Sequence, residues 1–134
     1  MKLLLLFTLV AVYDFGFTQS IHSVDEIQPK ESFENIYVHK IDGDDLTTQF
    51  IIWVKDTVRT HQHKNHSETV YVLEGEGMFY FEDSIFSIKK GDFIFIPKQT
   101  WHSVKVTSSN SMKVISNQSP AFYGEDRIYK DQGE

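Results

Sequence analysis

The 134-residue chain has the length of one domain, a formal net charge of −6 and no cysteine. The acidic balance argues against a nucleic-acid footprint, which needs clustered Lys and Arg. The missing thiols exclude disulfides, thiolate ligands, a cysteine nucleophile and a lipidated Cys anchor. With 40% apolar, 14% aromatic and 24% charged residues, the composition is that of a folded globular protein and not of a disordered one.

In chain order, Met1 and Lys2 form a short positive start, and Leu3 to Val12 is an uncharged apolar run. That pattern predicts a signal peptide over 1–20, cleaved after Thr18 or Ser20, and hence a secreted or periplasmic protein. The run is too short to be a stable membrane anchor. Ser23-Val24-Asp25-Glu26 has the form of a capping box that starts a short helical turn, ended by Pro29.

From Ile36 onward, β-branched and aromatic residues dominate short runs, which predict strands at 36–41, 48–55, 57–63, 69–74, 77–82, 84–89, 92–96, 101–107 and 111–117. Gly43, Gly75-Glu76-Gly77, Asp83-Ser84, Lys90-Gly91-Asp92 and Ser108-Ser109-Asn110 supply the turns between them. Many short strands at even spacing predict an all-β sandwich or barrel over 36–118. A C-terminal tail, 119–134, carries Phe122, Tyr123, Ile128 and Tyr129 among charges; it could pack over the barrel or a partner, with a partly disordered terminus as the plainer alternative.

His61, His63, Glu68 and His102 have the types and spacings of one mononuclear metal site. His61 and His63 are an i, i+2 pair, so on a strand both imidazoles point to one face. Glu68 adds a hard oxygen donor, and His102 supplies a third nitrogen. Three imidazoles and a carboxylate suit one divalent transition metal better than calcium or magnesium. Burying this set without an ion carries a desolvation cost that packing does not offset.

His61-x-His63-x4-Glu68-x6-Gly75, followed by Gly91-x5-Pro97-x4-His102, closely resembles the paired motifs of the cupin superfamily over about residues 36 to 118. The resemblance implies a double-stranded β-helix, a jelly-roll barrel with a short N-terminal segment. It also implies one ion, commonly Fe, Mn, Ni, Zn or Cu, held by His61, His63, Glu68 and His102. Three positions depart from the pattern, all of them supports and not ligands: Lys55 and Gln99 stand where Gly is usual, and Val106 where Asn is frequent.

His66, in the loop between the HxH pair and Glu68, is a candidate proton shuttle or fifth ligand, with an exposed loop histidine as the plainer expectation. His22 and His39 match no motif position and are expected on the surface. Counting back from an inward His61 without a bulge puts Arg59, Thr57, Lys55 and Trp53 on the ligand face. Arg59 is then the candidate partner for a substrate carboxylate and Trp53 a stacking wall. Counting on from Glu68 and His102 gives Val70, Val72, Val104 and Val106, an apolar floor. Alternation turns either Tyr80 or its neighbours Phe79 and Phe81 inward, and Tyr80 is a candidate proton donor. The candidate catalytic residues are therefore Glu68, His66 and Tyr80.

The run Phe93-Ile94-Phe95-Ile96 is apolar on both faces, so one face fills the barrel and the other needs a cover, which predicts a homodimer. The functional expectation is an exported metal-dependent cupin acting on a small organic acid or sugar-derived molecule, by oxygenase, lyase or isomerase chemistry. The alternative is a non-catalytic module that binds a sugar acid or a metal-complexed ligand in the same cavity.

Overall fold

The computed structural model describes residues 20–130, so the expected leader lies outside the described residues. Ten strands follow in order: β1 Ile36–Gly43, β2 Thr48–Val54, β3 Thr57–His63, β4 Ser67–Glu74, β5 Glu76–Phe81, β6 Ser84–Lys89, β7 Phe93–Ile96, β8 His102–Val106, β9 Met112–Ser119 and β10 Arg127–Tyr129. Nine of them fall on the runs expected from composition, and the tenth lies in the tail. Ser23 to Glu26 closes only a turn, through a Glu26 N–H to Ser23 C=O bond of 3.1 Å.

Every strand pairing is antiparallel, in one sheet of order β1-β2-β9-β4-β7 and another of order β10-β3-β8-β5-β6. The two sheets face each other as a double-stranded β-helix. Period-two alternation turns Val54, Val72, Phe79, Ile88, Ile96, Val106, Met112 and Val114 into the space between them, where they form the buried core. Gly75 turns β4 into β5 at φ +83°, and a Cβ there would stand 2.8 Å from the Met112 Cα, so two independent constraints demand glycine.

The outer face of the first sheet is divided. On its β1-β2-β9 half the N-terminal segment, residues 20–35, provides a second layer. Lys113, 1% exposed on that outer face, donates its ammonium to the carbonyls of Val24 and Ile27 at 2.8 and 3.2 Å, with the Trp53 ring 5.3 Å away. A chain of edge contacts runs from Phe33 to Tyr37 to Trp53, each pair of rings 5.8 Å apart. On the β4-β7 half, Tyr71, Phe93 and Phe95 remain exposed, while Ile94 and Ile96 on the other face of β7 pack inside.

Candidate metal centre

Each member of the tetrad arrives from a different strand position at one end of the barrel. His61 and His63 come from β3, Glu68 from the start of β4 and His102 from the start of β8. Their ligand atoms lie within 4.8 Å of one another and all four residues are buried. Bonds of about 2.0–2.2 Å to a shared ion would place opposite donors about 4.4 Å apart, so the cluster has the right scale for one metal.

Hydrogen bonds settle which nitrogens face inward. The Nδ1–H of His61 donates to the Arg59 carbonyl at 2.8 Å, and that of His102 to the Thr100 carbonyl at 2.9 Å. In each neutral ring the lone pair is then on Nε2. His102 Nε2 is buried without a hydrogen-bond partner, at 3.5 Å from Glu68 Oε2. A lone pair stranded this way is costly unless a cation accepts it, so the residues present fit a metal ion.

The electrostatics agree. Burial, with the neighbouring His102 second, pushes the His61 imidazole down to about 3, so it stays neutral and able to ligate at ordinary pH. Burial pushes the Glu68 carboxyl up, but the neighbouring imidazoles of His102 and His63 and a bond from Ser116 hold it well below its usual range. His63 Nε2 lies 3.1 Å from Glu68 Oε2, the Ser116 hydroxyl donates to Oε1, and Gln118 Nε2 reaches the same oxygen at 3.4 Å. These partners fix the carboxylate's orientation, as supports behind ligands do.

Several expected neighbours fall elsewhere. Arg59 does not line the cavity. The pairing slips between Val58 opposite Val104 and His61 opposite His102, and this bulge leaves Arg59 exposed with its guanidinium 4.7 Å from the Tyr129 ring. Trp53 is not a cavity wall either, because it lies on the outer face of its sheet under the N-terminal segment. Tyr80 points away from the barrel, paired across the strands with Ile85 and 38% exposed, while Phe79 and Phe81 face inward. His22 is at the surface beside Asp42, 3.5 Å away, and His39 is half-buried on β1, opposite Ile51.

His66 is not an exposed loop residue. It is 2% exposed, with Nδ1 2.6 Å from Asp126 Oδ2 and Nε2 buried without a partner. Its ring centroid is 4.2 Å from that of His63. Burial, followed by the neighbouring His63, lowers its proton affinity against the opposing pull of Asp126.

The tail makes this burial possible. Beyond β9 it crosses the metal end of the barrel, with Phe122 between Phe50 and His66 at ring distances of 6.1 and 5.5 Å. Asp126 accepts the backbone N–H of Asn65 and His66, and β10 then pairs with β3, placing Arg127 opposite His63 and Tyr129 opposite His61. Arg127 joins His61, Glu68 and His102 in lining a cavity of about 100 Å³. Sequence reasoning missed Ser116, Gln118, Asp126 and Arg127. The first two were findable, since parity from Met112 turns 112, 114, 116 and 118 inward once β9 is extended.

The supports that depart from the family pattern are accommodated. Gln99 adopts the left-handed conformation at φ 64° where glycine is usual, and its N–H donates to the His63 carbonyl at 2.6 Å. Lys55 stacks over Phe33 at 4.3 Å and its N–H donates to the Asn35 carbonyl at 2.8 Å, so it joins the N-terminal segment to β2.

Comparison with known proteins places these features in context. Residues 49–116 match the family described as "Cupin domain". An uncharacterized protein of Aquifex aeolicus is 31% identical over 112 residues, covering 82% of this chain and 92% of that protein. Quercetin 2,3-dioxygenase of Bacillus subtilis is 34% identical over 53 residues, 40% of this chain and 16% of that enzyme. Among solved structures, Streptomyces Pac13, described as a nucleoside dehydratase, superposes with a TM-score of 0.67 at 23% identity, over 84% of this chain and 92% of its own. That likeness is one of fold.

Proposed function

The chain belongs to the cupin family, and from that premise we propose that it is a metal-dependent enzyme acting on a small organic acid. One divalent transition metal is held by His61, His63, Glu68 and His102. The observation that carries this reading is the stranded lone pair of buried His102 Nε2 among three other donors within 4.8 Å. The names of two similar proteins, a dioxygenase and a dehydratase, support an enzymatic role over a purely structural one.

When bound, the ion supplies Lewis-acid polarisation of a substrate oxygen or a site for dioxygen. The chain's own groups orient and enclose. Arg127, on the same face as His63, takes the role expected of Arg59 and holds a substrate carboxylate. Ser116 and Gln118 keep Glu68 pointed at the centre, and Asp126 fixes His66 behind His63. The tail lays Phe122 across the metal end.

We place the protein outside the cytoplasm on the strength of its leader sequence, and as a homodimer through the bare face of Tyr71, Phe93 and Phe95. Sedimentation at micromolar concentration tests the second point: Phe95→Lys should shift a dimer to monomer, and a monomeric wild type would refute the assignment. Elemental analysis of the purified protein should find about one transition-metal ion per chain. No stoichiometric metal, as isolated or after reconstitution, would sink the enzymatic reading.

A further inference from the structure

The cavity is polar at one end only. Beyond His61, Glu68 and His102 its wall consists of valine, isoleucine, phenylalanine and methionine, with Ser103 and Arg127 as the remaining polar residues. Ser103 pairs with outward-pointing Tyr80, so its hydroxyl lies on the face away from the barrel. Arg127 is therefore the single side chain, apart from the tetrad, that offers the cavity a polar group. No carboxylate among the described residues lies within 4 Å of its guanidinium.

The way in is also apolar. Ile36 and Val38 both line the cavity, yet they are 41% and 52% exposed, so the space opens to solvent beside β1. The metal end is crossed by the tail, whose Arg127 stands exposed at the rim. A ligand that enters past Ile36 and Val38 meets aliphatic walls along its length before it reaches Arg127 and the tetrad.

We propose that the site accepts a short, apolar carboxylic acid, with its carboxylate on Arg127 and its hydrocarbon body among Val54, Val58, Val70, Val104 and Ile94. The proposal rests on the enzymatic reading above only in treating this acid as a substrate; the binding itself does not require turnover. A planar carboxylate matches the two-pronged guanidinium donor. A polyhydroxylated acid would press its hydroxyls against walls that offer no partner, and each unpaired polar group carries its full desolvation cost. At about 30 Å³ for each water-sized group, the space of about 100 Å³ limits the enclosed part of the acid to a short chain.

The test is calorimetric titration of the full chain, metal-loaded and metal-free, with butanoate, hexanoate, octanoate, hexanamide and galacturonate. Affinity should rise roughly four-fold per methylene until the cavity is full, and hexanoate should bind more tightly than galacturonate. Arg127→Gln should weaken hexanoate by roughly ten-fold and leave hexanamide unchanged. Val104→Phe, which fills the wall, should weaken octanoate more than butanoate, while circular dichroism confirms that the fold persists.

The proposal is overturned if galacturonate binds as tightly as hexanoate, if chain length has no effect, if Arg127→Gln binds hexanoate like the wild type, or if no acid binds. Graded binding of the acids by a chain that retains no metal would overturn the enzymatic reading alone. Stoichiometric metal with no discrimination among the acids would overturn this inference alone.

Discussion

Along β4 the inward side chains run Glu68, Val70, Val72, and along β8 they run His102, Val104, Val106. Within one pleat the same strands pass from a cluster of charged and orphaned donors to an aliphatic layer. The aliphatic end supports the fold, because each fully buried Val, Ile or Met contributes about 1.5–3 kcal/mol. The donor end costs stability, because imidazoles removed from water with unmatched lone pairs oppose folding. A barrel built this way is held from its floor, and its site is strained toward a ligand that the floor does not need.

Separating the two ends by mutation gives the largest effect. His102→Ala should abolish stoichiometric metal retention, measured by elemental analysis after dialysis, while the metal-free variant unfolds at or above the wild-type temperature because a stranded nitrogen is gone. A variant that still holds one ion would place the metal elsewhere. Ile96→Ala should do the opposite, lowering stability in urea by about 3 kcal/mol and leaving metal stoichiometry at saturation intact. If it lost the metal as well, the two ends would be one cooperative unit and the contrast would fail.

A smaller, graded effect should follow pH. His61 binds its proton less readily when folded, about 3 against 6.5, so the unfolded chain protonates first and metal-free stability should fall as pH drops below 6.5. The slope should reach up to about 1.4 kcal/mol per pH unit for this one group. Glu68, held well below 4.5, contributes stability that is present above 4.5 and lost as pH falls through its depressed value, so both act in the same direction. Urea midpoints between pH 7 and 4 should flatten in His61→Gln; an unchanged slope would assign the acid sensitivity to other groups.

Much of this was legible in the chain. Strands with one apolar face announce themselves by alternation, and the nine runs fell where composition put them. The spacing of His61, His63, Glu68 and His102 carried the tetrad because ligand geometry leaves few alternatives. What alternation could not carry across was the bulge in β3. A single extra residue between Val58 and His61 reverses the parity of everything before it, which is why Arg59 was expected inside.

The same reversal turns Trp53 outward. Its burial comes from residues 20–35 folding back over β2, a contact between segments whose pattern gives no periodic signal. Arg127 and Asp126 were hidden likewise, since a three-residue strand carries too little alternation to stand out. Their partners, His63 and His66, are sixty or more positions away.

The tail that crosses the metal end has one further consequence. Residues 49–116, which define the family, contain all four metal donors, whereas Arg127 and Asp126 come from the stretch that follows. If the proposed function holds, the metal donors and the group that chooses the ligand are encoded on consecutive lengths of polypeptide. Grafting residues 119–130 onto a related barrel would transplant a preference without disturbing a single metal bond, and divergence in that stretch alone could give new specificities to an unchanged centre.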